Sequence, residues 1–204
     1  MKKIHPVETH KKTINRDKIL NVSSNIFTRK GFENTTINDI ADAVEKKKSS
    51  VYYYFKSKEE IFQNVVLDEA VKFRREIIEA IDNEINPIEK FKVYIITRMK
   101  IINVYQNFYL TLKNDNLSHI KFFKRLNSIY DKEEIRLFKN ILTAGVKNNY
   151  LKQNFDISLA AEAIIMAIKG IESSFFAVDK EIKFESKIEN IIEILLFGIA
   201  VKNN

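Results

Sequence analysis

Apolar residues recur along this chain at three- and four-residue spacing, the pattern of helices that bury one face. Residues 1–14 are polar and basic without that period, and they are expected to form a flexible arm. From Asn15 the period sets in through Ile19, Leu20, Ser23, Ile26 and Phe27, and Gly31 then supplies a residue suited to a helix end. Thr36 followed by Asp39 matches a capping box opening a short helix through Ile40, Ala41 and Val44. A polar break, Glu45-Lys46-Lys47, precedes a third short segment, Lys48–Phe55. Ser57-Lys58-Glu59-Glu60 is a second capping box and starts a long helix to about Asn83.

The period continues to the end of the chain. Asn86 before Pro87 opens a helix expected to run to about Lys113. Ser118 and Asp131 are candidate caps for two more helices, the second ending near Lys147–Tyr150. Asp156 or Ser158 opens a segment through Phe176, and Ser186 opens a last one to about Val201. The expected class is all-α: a three-helix N-terminal part followed by a helical bundle. With only 4 Gly and 2 Pro, the chain lacks the turn residues a many-stranded protein needs.

Composition removes several chemistries. There is no cysteine, which excludes disulfides, thiolate metal sites and thiol nucleophiles; three histidines give a multi-histidine metal site almost no ligands. No cofactor is therefore expected. The longest apolar run, Ile194–Val201, is far short of the ~18 residues that mark a membrane span, and His5-Pro6-Val7-Glu8 stands where a secretory signal would be apolar. A cytoplasmic protein without a membrane partner is expected.

Charge sharpens the division. Residues 1–58 hold 13 Lys/Arg against 6 Asp/Glu, whereas residues 59–204 hold 21 against 21, so the whole net charge of +7 lies in the first part. A basic module joined to a neutral one suggests a polyanion partner for the first. The three short helices have the lengths and spacing of a helix-turn-helix, whose second helix enters the DNA major groove. If Leu20, Phe27, Ile40, Ala41, Val44, Val51 and Phe55 form its core, Lys46, Lys47, Lys48, Ser50, Tyr52 and Tyr53 are left facing outward. Lysines neutralise phosphates, and hydroxyls and phenols donate to phosphates or touch base edges.

The series Arg16-Asp-Lys-Ile-Leu20, Phe27, Gly31-Phe32, Thr35-Thr36, Ile40-Ala41 and Tyr52-Tyr-Tyr-Phe55-Lys-Ser-Lys58-Glu59-Glu60 closely resembles the DNA-binding domain of TetR-family transcriptional regulators. The resemblance spans about residues 15–62, and Gly145 with Tyr150-Leu151, Gly170 and Gly198 resemble the family's C-terminal pattern. It implies a phosphate-binding cap at Thr36 and a DNA-facing position at Asn38. It also implies groove contacts by Lys48, Ser50, Tyr52 and Tyr53, and a backbone-gripping lysine at Lys58. The family's usual Gly-Val-Ser turn is replaced here by Glu45-Lys46-Lys47, and Ser49 stands where Gly is common, so the resemblance does not carry the turn's exact geometry; the Lys46 stem can pack in place of the Val. The implied organisation is a basic arm over 1–14, a DNA-binding domain over 15–60 and a ligand-binding and dimerisation domain over 61–204. The implied function is a repressor that binds a palindromic double-stranded DNA operator as a homodimer and is released by a small, largely apolar effector.

Candidate effector contacts are Tyr94, Arg98, Met99, Ile102, Tyr105 and Tyr109 on the helix after Pro87, with Met166. A cation on that apolar face needs a partner, so Arg98 meets a ligand carboxylate, pairs with an internal Glu, or snorkels outward. The last two helices are apolar on nearly all faces, which suggests a dimer interface through Ile164, Ile168, Ile171, Ile191, Leu195 and Ile199. Two other readings are an all-α enzyme and a non-sequence-specific nucleic-acid-binding protein. The first lacks a Gly-rich phosphate loop, a nucleophile elbow and Glu-x-x-His pairs.

Overall fold

The computed structural model describes residues 6–113 and 121–176, with side chains over 15–111 and 121–172, and every regular element among them is an α-helix. The candidate cap Ser118 and the candidate last helix with Ile191, Leu195 and Ile199 lie outside the described residues. Helix α1 (Pro6–Asn34) takes in residues 6–14, which were expected as an arm. Pro6 can open a helix because its missing N–H would have had no partner there, and no Gly or Pro follows until Gly31. At Gly31 the backbone turns to φ 76°, ψ 163°, kinking the helix before its last residues.

Helices α2 (Ile37–Ala43) and α3 (Lys48–Tyr54) follow as the pattern predicted. Ser57 takes the Glu60 amide at 3.2 Å at the start of α4 (Lys58–Asp82). The helix expected from Pro87 to Lys113 is two helices, α5 (Pro87–Ile101) and α6 (Gln106–Lys113). Nothing local breaks it. Glu69, buried on α4, accepts the Phe108 amide at 2.9 Å and the Asn107 side-chain amide at 2.7 Å, and so caps a new helix from another element.

Helix α7 (Lys121–Lys147) runs straight through Asp131, which pairs with Lys169 at 2.6 Å instead of capping a new helix. It ends with Asn149 at φ 59°, and the amides of Tyr150 and Leu151 return to the Gly145 carbonyl at 2.9 and 3.1 Å. Gly145 is needed for contact: a Cβ there would stand 2.6 Å from Leu151 Cδ1. Asp156, not Ser158, opens α8 (Ile157–Phe176), accepting the Ser158 and Leu159 amides at 2.8 and 3.0 Å.

The described helices fall into two compact units that differ from a division at residue 60. One comprises residues 6–72 with 105–113 and 121–123; the other comprises 73–104 with 124–176. In the first, Ile19, Phe27, Ile40, Val51, Phe55 and Ile61 form a closed core, each at 3% exposure or less, while Leu20 is only half-buried. Each such side chain contributes roughly 1.5–3 kcal/mol by burial. In the second, Phe138 packs edge-on against Phe91 and Tyr94, with centroids 5.6 and 4.7 Å away.

Two of the six residues expected at a dimer face turn inward on α8. Ile164 and Ile168 are buried within the single chain and Ile171 is half-buried. At 100° per residue, the outward stripe is instead Leu159, Ala163, Met166 and Gly170. Leu159 is 63% exposed and Met166 66% exposed.

Candidate nucleic-acid interface and bundle cavity

In the first unit, α2 and α3 are held by different devices. Thr36 Oγ1 accepts the Asp39 amide at 3.2 Å, while Asp39 Oδ2 accepts the Thr36 amide and hydroxyl, both at 2.8 Å. Lys30 Nζ lies 2.6 Å from Asp39 Oδ1. Hydrogen bonds from Lys30 and then Thr36 hold the Asp39 carboxyl down at about 2. The capping box is therefore as expected, and Thr36 and Asn38 are both exposed.

The turn between α2 and α3 keeps a left-handed residue despite the absence of glycine. Glu45 sits at φ 56°, its amide bonded to the Asp42 carbonyl at 3.0 Å. Lys47 caps α3 with no side-chain hydrogen bond. An L-residue in this conformation costs about 1–2 kcal/mol. The absence of glycine at this turn thus appears as strain at Glu45.

On α3 the separation of faces is clear. Val51 is fully buried against the head core, while Lys46, Lys47, Lys48, Tyr52 and Tyr53 are exposed and Ser50 is half-buried. Tyr53 is 68% exposed and stacks edge-on against Tyr54 at 5.0 Å. Lys48 Nζ lies 5.9 Å from the Tyr52 ring centroid, one helical turn away. Cations and phenols with no place in the core therefore share the outer side of α3. Lys58 is differently engaged: its amine donates to the Phe32 carbonyl at 2.8 Å and sits 4.3 Å over the Phe32 ring. It ties α4 to the end of α1, where a cation meets unpaired carbonyls.

A buried polar cluster in the same unit escaped the sequence reading. Glu69 accepts from the Ser24 hydroxyl at 2.7 Å, and the Asn107 side-chain amide also reaches the Ser24 and Thr28 hydroxyls at 3.2 and 3.0 Å. Thus α6 is fastened to α1 and α4 by one carboxylate and one amide. Glu69 and Asn107 were legible only as polar residues in helical stretches.

The second unit buries a cation. Arg98 is 1% exposed, and its Nε and Nη1 donate to Glu172 and Glu134 respectively. Nη1 also donates to the Tyr94 and Tyr130 hydroxyls at 2.9 and 3.0 Å, and Nη2 reaches Glu172 at 3.4 Å. Of the three open readings of Arg98, pairing with internal glutamates is the one realised. Burial drives the Tyr94 and Tyr130 phenols well above their ordinary range, so both stay neutral. Burial also pushes the Glu134 carboxyl up, against the pull of Arg98.

Beside this cluster lies a cavity of about 110 Å³ lined by Ile77, Ile78, Tyr94, Tyr130, Glu134 and Leu137, with Arg74, Glu133, Arg136 and Asn140 completing its walls. Of the candidate effector residues only Tyr94 lines it. Met99 and Ile102 are buried elsewhere in that unit, and Tyr105 and Tyr109 belong to the other unit. Met166 faces outward, on the opposite side of α8 from Ile164 and Ile168. Helical phase separates it from the bundle interior.

Among known proteins, residues 19–65 match the family described as bacterial regulatory proteins, tetR family. The fatty acid metabolism regulator protein of Bacillus subtilis is 20% identical over 90% of this chain and 95% of its own. The transcriptional regulator QacR of Staphylococcus aureus is 26% identical over 91% of this chain and 98% of its own. The crystal structure of a TetR-family regulator from Cytophaga hutchinsonii superposes with a TM-score of 0.78 at 16% identity, covering 99% of this chain and all of that one.

Proposed function

From the premise that this chain belongs to the TetR family of bacterial transcriptional regulators, we propose that it is a ligand-responsive repressor acting on operator DNA as a homodimer. The observation that carries the DNA-reading part is the division of α3. Val51 anchors it in the head, leaving Lys48, Ser50, Tyr52 and Tyr53 on the side that would enter the major groove. Lys46 and Lys47 flank it for phosphate contact, and Thr36 and Asn38 at the start of α2 would lie along the backbone. Lys58 supports the groove contacts indirectly in this reading, by holding the end of α1.

Dimerisation would use the outward stripe of α8, where Leu159, Ala163 and Met166 are exposed among the described residues. Two heads so joined would read half-sites about 34 Å apart. The effector would occupy the cavity beside Arg98. Helix α4 supplies residues to both units and is one covalent route between effector and DNA. A near-complete switch requires the effector to favour the released state by about 5.5 kcal/mol. No enzymatic step is assigned, and cytoplasmic residence follows from this role; no described helix is long and apolar enough to cross a membrane.

The test is selection of binding sites from random duplex DNA, followed by footprinting at rising salt. The wild type should protect one palindrome and keep discriminating against random sequence as salt rises, whereas a non-specific binder would lose all protection together. Lys48→Ala with Tyr53→Ala should abolish protection while the dimer persists on a sizing column. Wild-type protection by the double variant would remove α3 from the groove.

A further inference from the structure

The DNA-reading head holds a cavity of its own, about 130 Å³, between α1 and α3. Asn15 and Lys18 line it from α1, and Ser50 and Tyr54 line it from α3. These pairs are three and four residues apart, so each helix offers two side chains from one face. Ile19 and Val44, both buried, supply the apolar part of the wall. Lys46 lines it from the turn, a position that follows from the left-handed Glu45. The chain reverses there, and the Lys46 amide returns to the Ala41 carbonyl at 2.9 Å. Because Lys46 takes the place of the family's usual Val, one of the two cations is this chain's own.

The polar groups around this cavity are donors. Two ammoniums, two hydroxyls and one amide line it, and no carboxylate does. Asp17, Asp42 and Glu45 are near in sequence, but all three are exposed and none forms part of the wall. Among the described residues, no hydrogen bond or ion pair engages the side chains of Asn15, Lys18, Lys46, Ser50 or Tyr54. Their donors are therefore available together, a set that suits an oxyanion with several acceptor oxygens. A water needs only about 10–15 Å³, so the cavity has room for a tetrahedral anion. At 100° per residue, Ser50 and Tyr54 lie at the edge of the exposed arc of α3, beside Tyr53. A helix in the major groove meets base edges along its middle and phosphates along its flanks.

We propose that this cavity binds a phosphate group, gripped by Lys18 and Lys46 and oriented by Asn15, Ser50 and Tyr54. Two sources carry that chemistry: a backbone phosphate of bound DNA and a free phosphate ion. The DNA source rests on the reading of this head as an operator-binding domain, and the free ion does not. With DNA as the source, Asn15, Lys18 and Tyr54 join the DNA-contacting set, and Ser50 meets a phosphate rather than a base edge.

Two arms of one experiment separate the sources. In the first, the full chain is titrated with inorganic phosphate at constant ionic strength, with chloride as control, while nuclear magnetic resonance follows the amides of Lys18, Ser50 and Tyr54. Phosphate should shift them saturably, chloride should not, and Lys18→Gln with Lys46→Gln should remove the response. In the second, binding to the selected operator and to random duplex is measured across salt concentrations. Lys18→Gln should weaken both about tenfold, the ratio one charge-assisted hydrogen bond supplies, and lower the salt slope by about 0.9 for each subunit. Tyr54→Phe keeps the ring and every charge, so it should weaken binding at an unchanged slope. Ethylation of single phosphates should reveal one per half-site whose modification weakens the wild type far more than Lys18→Gln. Should the lysine variants fail to fold, Tyr54→Phe carries both arms. A response in the first arm alone makes the free ion the ligand, and one in the second alone makes it the DNA backbone. Silence in both overturns the proposal. A wild type that prefers no sequence removes the repressor reading, while the first arm and the random duplex still test the cavity.

Discussion

Replacing Arg98 by methionine isolates the energetics of the bundle interior. The substitution keeps much of the side-chain volume and removes the charge that Glu134 and Glu172 share, leaving two carboxylates in a space where Arg98 itself is 1% exposed. Losing one partner of a buried pair costs about 3–5 kcal/mol. For a chain of this length that lowers the melting midpoint by roughly 6–20 °C. Glu134, whose carboxyl burial already pushes up, would escape part of the cost by taking a proton. The sign of the pH dependence follows. Between 4.5 and the raised value the folded variant holds a proton that the unfolded chain has lost, so its stability falls as pH rises through that window. Thermal melts followed by circular dichroism at pH 7 and pH 5 should show a smaller deficit at the lower pH. Adding Glu134→Gln and Glu172→Gln to Arg98→Met should recover most of the loss at pH 7. A deficit below about 1 kcal/mol, or one equal at both pH values, would refute the account of a buried, mutually dependent charge cluster.

Three further outcomes are expected. Glu45→Gly should raise stability by about 0.5–1 kcal/mol in urea melts by relieving the left-handed strain, and should tighten DNA binding by removing an acidic residue beside Lys46–Lys48; destabilisation would mean the turn is not strained. Asp39, held at about 2 against an ordinary 3.8, supports the start of α2 above pH 4 and loses that support as pH falls from about 4 towards 2; nuclear magnetic resonance titration of its carboxyl should give that midpoint, and Lys30→Ala should move it up. Gly145→Val should destabilise the bundle by about 1–3 kcal/mol in the same melts, because its Cβ would collide with Leu151 and further atoms add to the overpacking; an unchanged midpoint would show that Leu151 can move aside.

The head was legible because its rules are local. Thr36 with Asp39 and Ser57 with Glu60 announce helix starts within four residues, and alternation of Val51 with Lys48, Tyr52 and Tyr53 separates inside from outside on one short helix. Where the structure departed from expectation, the cause lay far away in the chain. The break between α5 and α6 depends on Glu69, about forty residues earlier, taking the Phe108 amide. Asp131 looked like a cap until Lys169 claimed it from another helix. Lys58 matched a backbone-gripping position, and its amine lies on the Phe32 carbonyl instead.

By itself the sequence determined the helical class, the basic head and its resemblance to the DNA-binding domain of the TetR family, since periodicity, caps and charge location are properties of neighbouring residues. Only the tertiary structure decided which side of α8 is covered and what Arg98 meets. A helix apolar on most faces carries no phase that marks its outer stripe, so Ile164 and Met166 look alike until packing buries one and exposes the other. A buried charge is likewise defined by its partners. Glu134 and Glu172 lie 36 and 74 residues from Arg98 along the chain, and only the fold brings both carboxylates to one guanidinium.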